Sequence, residues 1–208
     1  MLYHSKERIK SLGEVFTPLP VVDEMLNLLA KDNSEIWADD QQLLFDPCCG
    51  TGNIVTQIYK RRLDAFLEKN KKENNFDPVF NSVIDSLKNL CAVDICEENI
   101  KICRYRMFKI TFEFLEKHLN VEINLKFINS HKSFFAHLVA YIELKIHCNE
   151  MLSSLSDATT ARANAYKTKA GRLWFEKYGH KPIDFAAEPS FSDFLNAVKL
   201  IENLMNPS

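Results

Sequence analysis

Glycine is scarce in this sequence, and its distribution is uneven. Only 5 of the 208 residues are glycine, and two of them, Gly50 and Gly52, lie in the nonapeptide FDPCCGTGN at residues 45–53. Long hydrophobic runs are also absent, and without a run of about 18 apolar residues we expect no membrane-spanning helix. The net charge of −2 provides no overall attraction to nucleic acid or to a membrane, so any basic binding surface must be local.

The six cysteines do not have the spacing of a metal site, because the sequence contains no C-x-x-C pair and no histidines at zinc-ligand spacing from them. Most lie in apolar stretches, where cysteine behaves as a small hydrophobic residue, and we expect free thiols and no bound metal. The first ten residues, MLYHSKERIK, are polar and basic with no apolar segment behind them, which argues against a signal peptide. A cytoplasmic location with reduced thiols is therefore expected.

Apolar segments of two kinds alternate along the chain and predict an α/β fold. Short buried strands are expected within residues 41–50, 90–95 and 121–129, and helices within residues 53–69, 81–90 and 97–119. This order predicts a parallel sheet with crossover helices, and ligands of such sheets bind beyond the carboxyl ends of the strands. Residues 137–147 alternate strictly between apolar and polar, so they form either a fourth strand or part of a long helix; the helix is slightly favoured.

The glycine pair follows the first predicted strand and precedes a helix, which is the arrangement of a small-ligand cradle. Gly50 and Gly52 permit a tight turn and a close backbone approach, and the helix that begins after them offers unpaired N–H groups. Phosphate is a poor ligand here, because Asp46 would repel it and no P-loop lysine follows Gly52. A ligand with an ammonium and a sulfonium group fits better. Asp94, at the end of the second strand, is placed to accept both hydroxyls of a ribose.

Three segments resemble motifs of the amino-group DNA methyltransferases. FDPCCGTGN resembles motif I of that family, D-P-x-x-G-x-G-N; GEVFTPLPVVDEML resembles its N-terminal Thr-Pro segment; and AVDICEENIKICRYRM resembles its second motif. Their order is that of the N6-adenine enzymes of type I and type IIG restriction–modification systems, and it is also similar to that of small methylase-like proteins of bacteriophages. The resemblance covers residues 10–130. It implies a Rossmann-like methyltransferase sheet with helices on both faces and S-adenosylmethionine as cofactor.

The resemblance also implies a set of contacts to the cofactor. The Thr-Pro segment would contact the methionine end, the glycine turn would form the floor, Asp94 would hold the ribose and Ile95 would pack on the adenine. The cofactor-binding residues predicted in this way are Phe16, Thr17, Pro18, Asp46, Pro47, Gly50, Gly52, Asn53, Asp94, Ile95 and Ser130. Ser130 or Asn129 is included because the family has an acidic residue after strand three, where this sequence has NSHKSFF; Phe134 or Phe135 would supply an apolar wall.

Each assignment has a structural alternative. Thr17 and Pro18 form an ordinary helix start, with Thr17 as the N-cap and Pro18 at the first helical position. Asp46 could simply cap the glycine turn, and Asp94 could cap the helix that follows it. The occurrence of all three motifs in the expected order favours the cofactor site.

The catalytic tetrapeptide of the family, [N/D/S]-P-P-[Y/F/W], is not found. None of the seven prolines is adjacent to another. The nearest imitation, DPVF at residues 77–80, follows the first crossover helix and should lie at the opposite end of the sheet from the cofactor. No catalytic residue can therefore be assigned, and a second protein subunit could supply catalytic or target-recognition elements.

Residues 151–181 carry six basic and two acidic side chains, with Tyr166, Trp174 and Tyr178 between them. Such a segment can contact phosphates and stack on bases. The nucleic-acid candidates are Arg162, Lys167, Lys169 and Arg172. The alternative is a solvated helix face with its aromatic residues in the core.

These patterns favour three organisational units and leave three functions open. We predict an N-terminal helical cofactor-capping segment over residues 1–40, the Rossmann-like core over 41–150 and a helical C-terminal extension over 151–208. The favoured function is an S-adenosylmethionine-binding DNA adenine-N6 methyltransferase-like protein, catalytically incomplete and dependent on a partner. The alternatives are a non-catalytic interaction or DNA-binding module, for example a phage factor acting on host restriction–modification, and a methyltransferase for RNA or protein.

Overall fold

Three short parallel strands form the sheet in the computed structural model, which describes residues 17–205 apart from the side chains of Ser34 and Ser153. The strands are β1 (Leu44–Asp46), β2 (Leu90–Asp94) and β3 (Ile146–Cys148), and β2 lies between the other two. Leu44 pairs with Leu90, and Ala92 pairs with Ile146. The first four residues of β2 are buried, as expected for an apolar strand with neighbours on both sides.

Helices account for most of the described chain. They are α1 (Leu19–Leu29), α2 (Asn53–Lys72), α3 (Pro78–Lys88), α4 (Glu97–Leu119), α5 (Leu125–Ser130), α6 (Lys132–Lys145), α7 (Met151–Ser154), α8 (Ala158–Ala165), α9 (Lys169–Tyr178) and α10 (Phe191–Met205), together with a 3₁₀ helix at Ser34–Ala38. The fold is therefore α/β, with helical crossovers between parallel strands, as the sequence predicts. None of these helices is long and apolar enough to cross a membrane.

The first crossover consists of α2 and α3, which pack side by side. The α2 helix begins after Gly52. Its last turn contains three lysines, whose positive charges interact favourably with the negative end of the helix dipole. Arg62 on this helix is fully buried and donates from Nε to the carbonyl oxygen of Ser86 at 3.0 Å. Burial lowers the pKa of Arg62 to about 10. The third helix begins at Pro78, three residues before the predicted start, because proline is favoured in the first helical turn.

The second crossover begins with α4, whose bounds match the prediction. Glu97 and Glu98 lie in its first turn, Lys117 and His118 in its last, and Asn120, with a φ of 54°, ends it. The charges of Glu97, Glu98 and Lys117 interact favourably with the dipole at the two ends of α4.

The predicted third strand over residues 121–129 is wrong. Asn124 instead accepts a hydrogen bond from the backbone N–H of Phe127 at 3.0 Å and caps α5. The favoured helix over residues 137–147 is confirmed as far as Lys145, after which Ile146–Cys148 forms β3. The apolar and polar alternation of this segment does not indicate a strand, because α6 is buried on several sides and carries apolar residues around most of its circumference.

The last described helix joins the same core as the sheet. Ala197 and Ile201 of α10 are buried, and this helix packs against α6. Residues 181–190 form an irregular segment before α10, and Lys145 binds it by donating hydrogen bonds to the carbonyl oxygens of Phe185 and Ala187. The domain limits drawn from the sequence remain a prediction.

Candidate cofactor-binding site

A cavity of about 450 Å³ lies at the carboxyl ends of the strands. The sequence-predicted residues that line it are Thr17, Asp46, Pro47, Gly50, Asn53, Asp94 and Ile95. Residues that follow β3, from Asn149 to Leu152, form another part of the wall, together with Thr168. The structure thus brings residues from five separate parts of the chain to one cavity, in the position where parallel sheets bind ligands.

The two glycines of the turn have different tasks. Gly50, with a φ of 53°, lines the cavity and donates its N–H to a carboxylate oxygen of Asp94 at 2.9 Å. Gly52, with a φ of 90°, does not line the cavity; a Cβ atom there would lie 2.5 Å from the Sγ of Cys103 on α4. Gly52 is therefore needed for the close packing of the start of α2 against α4.

Asp94 holds the two loops of the site together. Its Oδ2 accepts the N–H of Gly50, and its Oδ1 accepts the N–H of Cys96 at 2.8 Å and the side-chain amide of Asn99 at 3.3 Å. The loop after β1 is thereby tied to the loop after β2. The capping alternative for Asp94 is realised in part. Its Oδ1 already accepts two N–H groups, so one acceptor site remains, on Oδ2, for a ligand hydroxyl.

Asp46 is the unusual electrostatic feature of the site. Its side chain is buried, and its Oδ1 accepts the backbone N–H of Cys48 at 3.3 Å. Its Oδ2 is buried and has no hydrogen-bond partner among residues 17–205. Burial raises the pKa of Asp46 to about 6, and the neighbouring charge of Asp94 also raises it, against the opposing effect of the Cys48 N–H. A buried acceptor without a partner is costly, so this oxygen is suited to a donor group of a ligand.

Thr17 of the Thr-Pro segment lines one side of the cavity. The carbonyl oxygen of Thr17 accepts the side-chain amide of Asn53 at 3.0 Å, which attaches this segment to the start of α2. The N-cap of α1 is Pro18, not Thr17 as predicted, and no side chain caps the helix. Pro18 itself does not line the cavity, and Phe16 lies outside the described residues.

Ser130 is not part of this cavity. It lies at the end of α5, donates to the carbonyl oxygen of Phe127 and lines a different cavity, of about 530 Å³, with Phe80 and His131. Its assignment to the cofactor rested on a strand that ends at residue 129, and that strand is not formed. For the same reason Phe134 lines the other cavity and Phe135 is buried in the core.

Two residues missed in the sequence follow the true third strand. Asn149 is buried and donates its backbone N–H to the carbonyl oxygen of Asp94 at 3.0 Å, and Glu150 lines the cavity beside it. The signal was the polar pair Asn-Glu directly after IHC, but this pair is informative only once residues 146–148 are known to be a strand. Glu150 is thus the first acidic residue after β3.

The basic segment lies next to the cavity. Thr168, the N-cap of α9, lines the cavity, so its exposed neighbours Lys167 and Lys169 flank that wall. Arg162 is also exposed, and its guanidinium lies over the ring of Tyr166 at 5.8 Å. The alternative interpretation, in which the aromatic residues of this segment belong to the core, holds for Trp174, which is buried. It does not hold for Tyr166, which is 47% exposed.

One protein family matches more than half of the chain. The family model for N-6 DNA methylases matches residues 1–113. The chain belongs to the N-6 DNA methylase family. The matched region contains the Thr-Pro segment, the glycine turn and Asp94, and it ends within α4. The N-6 DNA methylase resemblance of the motifs is thereby confirmed. No curated protein and no solved structure matches the chain. Between Thr17 and Met205 there is no cluster of three or more metal-ligating side chains.

Proposed function

We propose that this chain is the cofactor-binding part of a DNA adenine-N6 methyltransferase and that S-adenosylmethionine binds in the cavity at the strand ends. The observation that carries the proposal is the unpartnered, buried Oδ2 of Asp46 in a wall that also contains Thr17, Gly50 and Asp94. An ammonium group would supply the missing hydrogen-bond donor, and it would favour the ionised carboxylate.

The remaining wall suits the other parts of the same molecule. The first N–H groups of α2 face no intrahelical acceptor and suit a carboxylate, while Oδ2 of Asp94 has one acceptor site left for a ribose hydroxyl. Ile95 provides an apolar surface for an adenine ring, and Glu150 an acceptor for its exocyclic amine. The bound cofactor would supply a methyl group on a sulfonium, and the protein residues named here would bind and orient it.

The acceptor side of the reaction is the incomplete part. Methyl transfer requires that the target amine be held in line with the methyl group, which the family does with a Pro-Pro tetrapeptide after strand four. The sequence has no adjacent prolines. Among the described residues β1 is an edge strand, with β2 as its only partner. We therefore propose that another polypeptide contributes the catalytic element. Nucleic acid would reach the cavity across α8 and α9, where Arg162, Lys167 and Lys169 are exposed.

Calorimetric titration with S-adenosylmethionine tests the cofactor proposal. We expect the wild-type protein to bind, and Asp46→Asn to weaken binding by about ten- to a hundredfold, because a hydrogen bond to a charged group is lost. Asp64→Asn is the matched control, since this carboxylate is exposed on α2. Absence of binding by the wild type, or equal affinities for the two variants, contradicts the proposal.

A second candidate is a non-catalytic module that uses the same fold to bind a methylase or nuclease, and the absent tetrapeptide favours it. Transfer of a radiolabelled methyl group separates the candidates. Label on DNA, alone or after addition of a captured partner, supports the DNA methyltransferase. Label on RNA or protein indicates a methyltransferase for one of those substrates. A stable methylase or nuclease partner with no transfer to any of the three pools supports the non-catalytic module.

A further inference from the structure

Arg106 on α4 contacts the cofactor site only through other residues. Its Nη1 donates to the carbonyl oxygen of Thr51 at 2.7 Å and to Oδ1 of Asn53 at 2.9 Å, and its Nη2 lies 3.4 Å from Oγ1 of Thr56. Arg106 does not line the cavity. Within the described part of the chain it forms no ion pair with a carboxylate, so its donors serve the turn between β1 and α2.

The contact with Arg106 determines how the amide of Asn53 is oriented. A guanidinium has only donors, so the amide oxygen of Asn53 must face Arg106 and the amide nitrogen must face the opposite way. That nitrogen donates to the carbonyl oxygen of Thr17 at 3.0 Å. The reversed amide would place NH₂ against the guanidinium and oxygen against the Thr17 carbonyl, and both contacts would be repulsive.

We propose that Arg106 is a positioning residue for the cofactor site: it orients Asn53 so that Asn53 holds Thr17 at the mouth of the cavity. This inference rests on the proposed function. Thr17 and Asn53 both line the cavity, so the chain of contacts Arg106–Asn53–Thr17, here called the clasp, sets the separation of two of its walls. Binding of the cofactor then requires no ordering of Thr17.

A double-mutant cycle with Asn53→Ala and Arg106→Met tests the clasp through cofactor affinity. We expect each single change to weaken S-adenosylmethionine binding by about tenfold, which corresponds to the loss of one hydrogen bond. If Arg106 acts through Asn53, the double variant binds no more weakly than Asn53→Ala alone. If the double variant instead binds S-adenosylmethionine about a hundredfold more weakly than the wild type, the two changes act independently and the proposal is wrong.

Two further variants separate positioning from general stability. Asn53→Asp keeps the acceptor for Arg106 but cannot donate to Thr17, so we expect weaker cofactor binding with an unchanged Tm. Arg61→Gln is the control, because Arg61 also attaches α1 to α2, through Asp23 at 3.4 Å, but does not line the cavity. Its cofactor affinity should equal that of the wild type; an equal loss would mean that docking of α1, and not the clasp, controls binding.

Hydrogen exchange of the ligand-free protein provides a readout that does not depend on the cofactor. The reporter is the amide of Val22, which donates to the carbonyl oxygen of Pro18 at 3.0 Å at the start of α1. We expect Asn53→Asp and Arg106→Met to accelerate exchange in a peptide covering residues 17–26, and to leave β2 unchanged. Unchanged exchange in both variants refutes the clasp even if the wild type binds cofactor, whereas a wild type that binds none refutes only the proposed function.

Discussion

At the scale of single residues, the site depends on side chains and backbone positions that are poor choices for stability alone. Asp46 is a buried carboxyl with one oxygen unpartnered among the described residues, and Gly50 and Gly52 have positive φ angles. Asp46 and Gly50 line the cavity, where the proposed ligand would use them, whereas Gly52 is needed for packing against Cys103. Asp94, by contrast, accepts hydrogen bonds from the backbone N–H groups of Gly50 and Cys96. It therefore connects the loop after β1 to the loop after β2.

Asp46 should make the stability of the ligand-free protein depend on pH. Its folded-state pKa, about 6, lies above the ordinary value of 3.8, so the folded state retains a proton that the unfolded state loses. The stability contributed by this proton is present below pH 4 and is lost as the pH rises through 6. We expect wild type to lose up to about 3 kcal/mol relative to Asp46→Asn across this window. Denaturant unfolding of both proteins between pH 4 and 7 checks this; parallel stability curves would contradict it.

Gly52→Ala should destabilise the protein mainly through a steric clash with Cys103. The new Cβ would lie 2.5 Å from Sγ, and the left-handed backbone adds strain. We expect a loss of about 3 kcal/mol in the wild-type background and about 1 kcal/mol in a Cys103→Ala background, where the sulfur is absent. Urea unfolding of the four proteins measures both costs. Equal costs in the two backgrounds would show that backbone strain, and not packing, requires this glycine.

At the scale of elements, the crossover between β1 and β2 is held by a buried cation. Arg62 of α2 donates to carbonyl oxygens at the end of α3 and lies over the ring of Phe66 at 5.0 Å. The neighbouring Arg61 is partly exposed; it forms a long ion pair with Asp23 at 3.4 Å and lies over the ring of Trp37 at 5.3 Å. Of these two adjacent arginines, Arg62 therefore binds buried carbonyl groups within the crossover, whereas Arg61 contacts α1 near the surface.

Truncation of these arginines should have unequal effects. We expect Arg62→Ala to lower the free energy of unfolding by about 3–5 kcal/mol, because it leaves a cavity and removes the donors of buried carbonyl groups. Arg61→Ala should cost less than about 1 kcal/mol, as is usual for exposed pairs. Chemical denaturation of both variants is the measurement. Similar losses for the two would mean that the buried hydrogen bonds contribute little.

At the scale of the whole molecule, the weak net charge conceals a basic face beside the cavity. The charge of −2 gives no reason to expect nucleic-acid binding, yet Lys167, Lys169 and Arg172 are all exposed around the start of α9. Local charge of this kind can bind a phosphate backbone even when the molecule as a whole is slightly acidic.

The proposed DNA contact predicts a specific change in salt dependence. Replacing Lys167, Lys169 and Arg172 by Gln should lower the slope of log affinity against log salt by roughly 2–3, because fewer counterions are released. The control replaces Lys101, Lys109 and Lys126 by Gln, which changes the net charge equally on other exposed positions. Fluorescence anisotropy with duplex DNA at several salt concentrations measures both slopes. An equal change in the control would attribute binding to net charge and not to this face.

Local signals in the sequence determined a large part of the site. The glycine turn, the apolar strand before it and the helix after it are specified within about twelve residues by backbone freedom, burial and capping, and they appear in the structure where the sequence predicts them. The long helix Glu97–Leu119 also has the bounds that the sequence predicts. These features need no distant partner to be recognised.

Only the tertiary structure decided the third strand and the residues that follow it. Ile146–Cys148 is three residues long, and its strand character comes from pairing with β2, more than fifty residues earlier in the chain. Residues 121–129 alternate more convincingly, but Asn124 caps a helix there, and the segment pairs with none of the three strands that the described residues form. Because short strands are stabilised by non-local hydrogen bonds, local sequence could not place Asn149 and Glu150 at the cavity, nor exclude Ser130 from it.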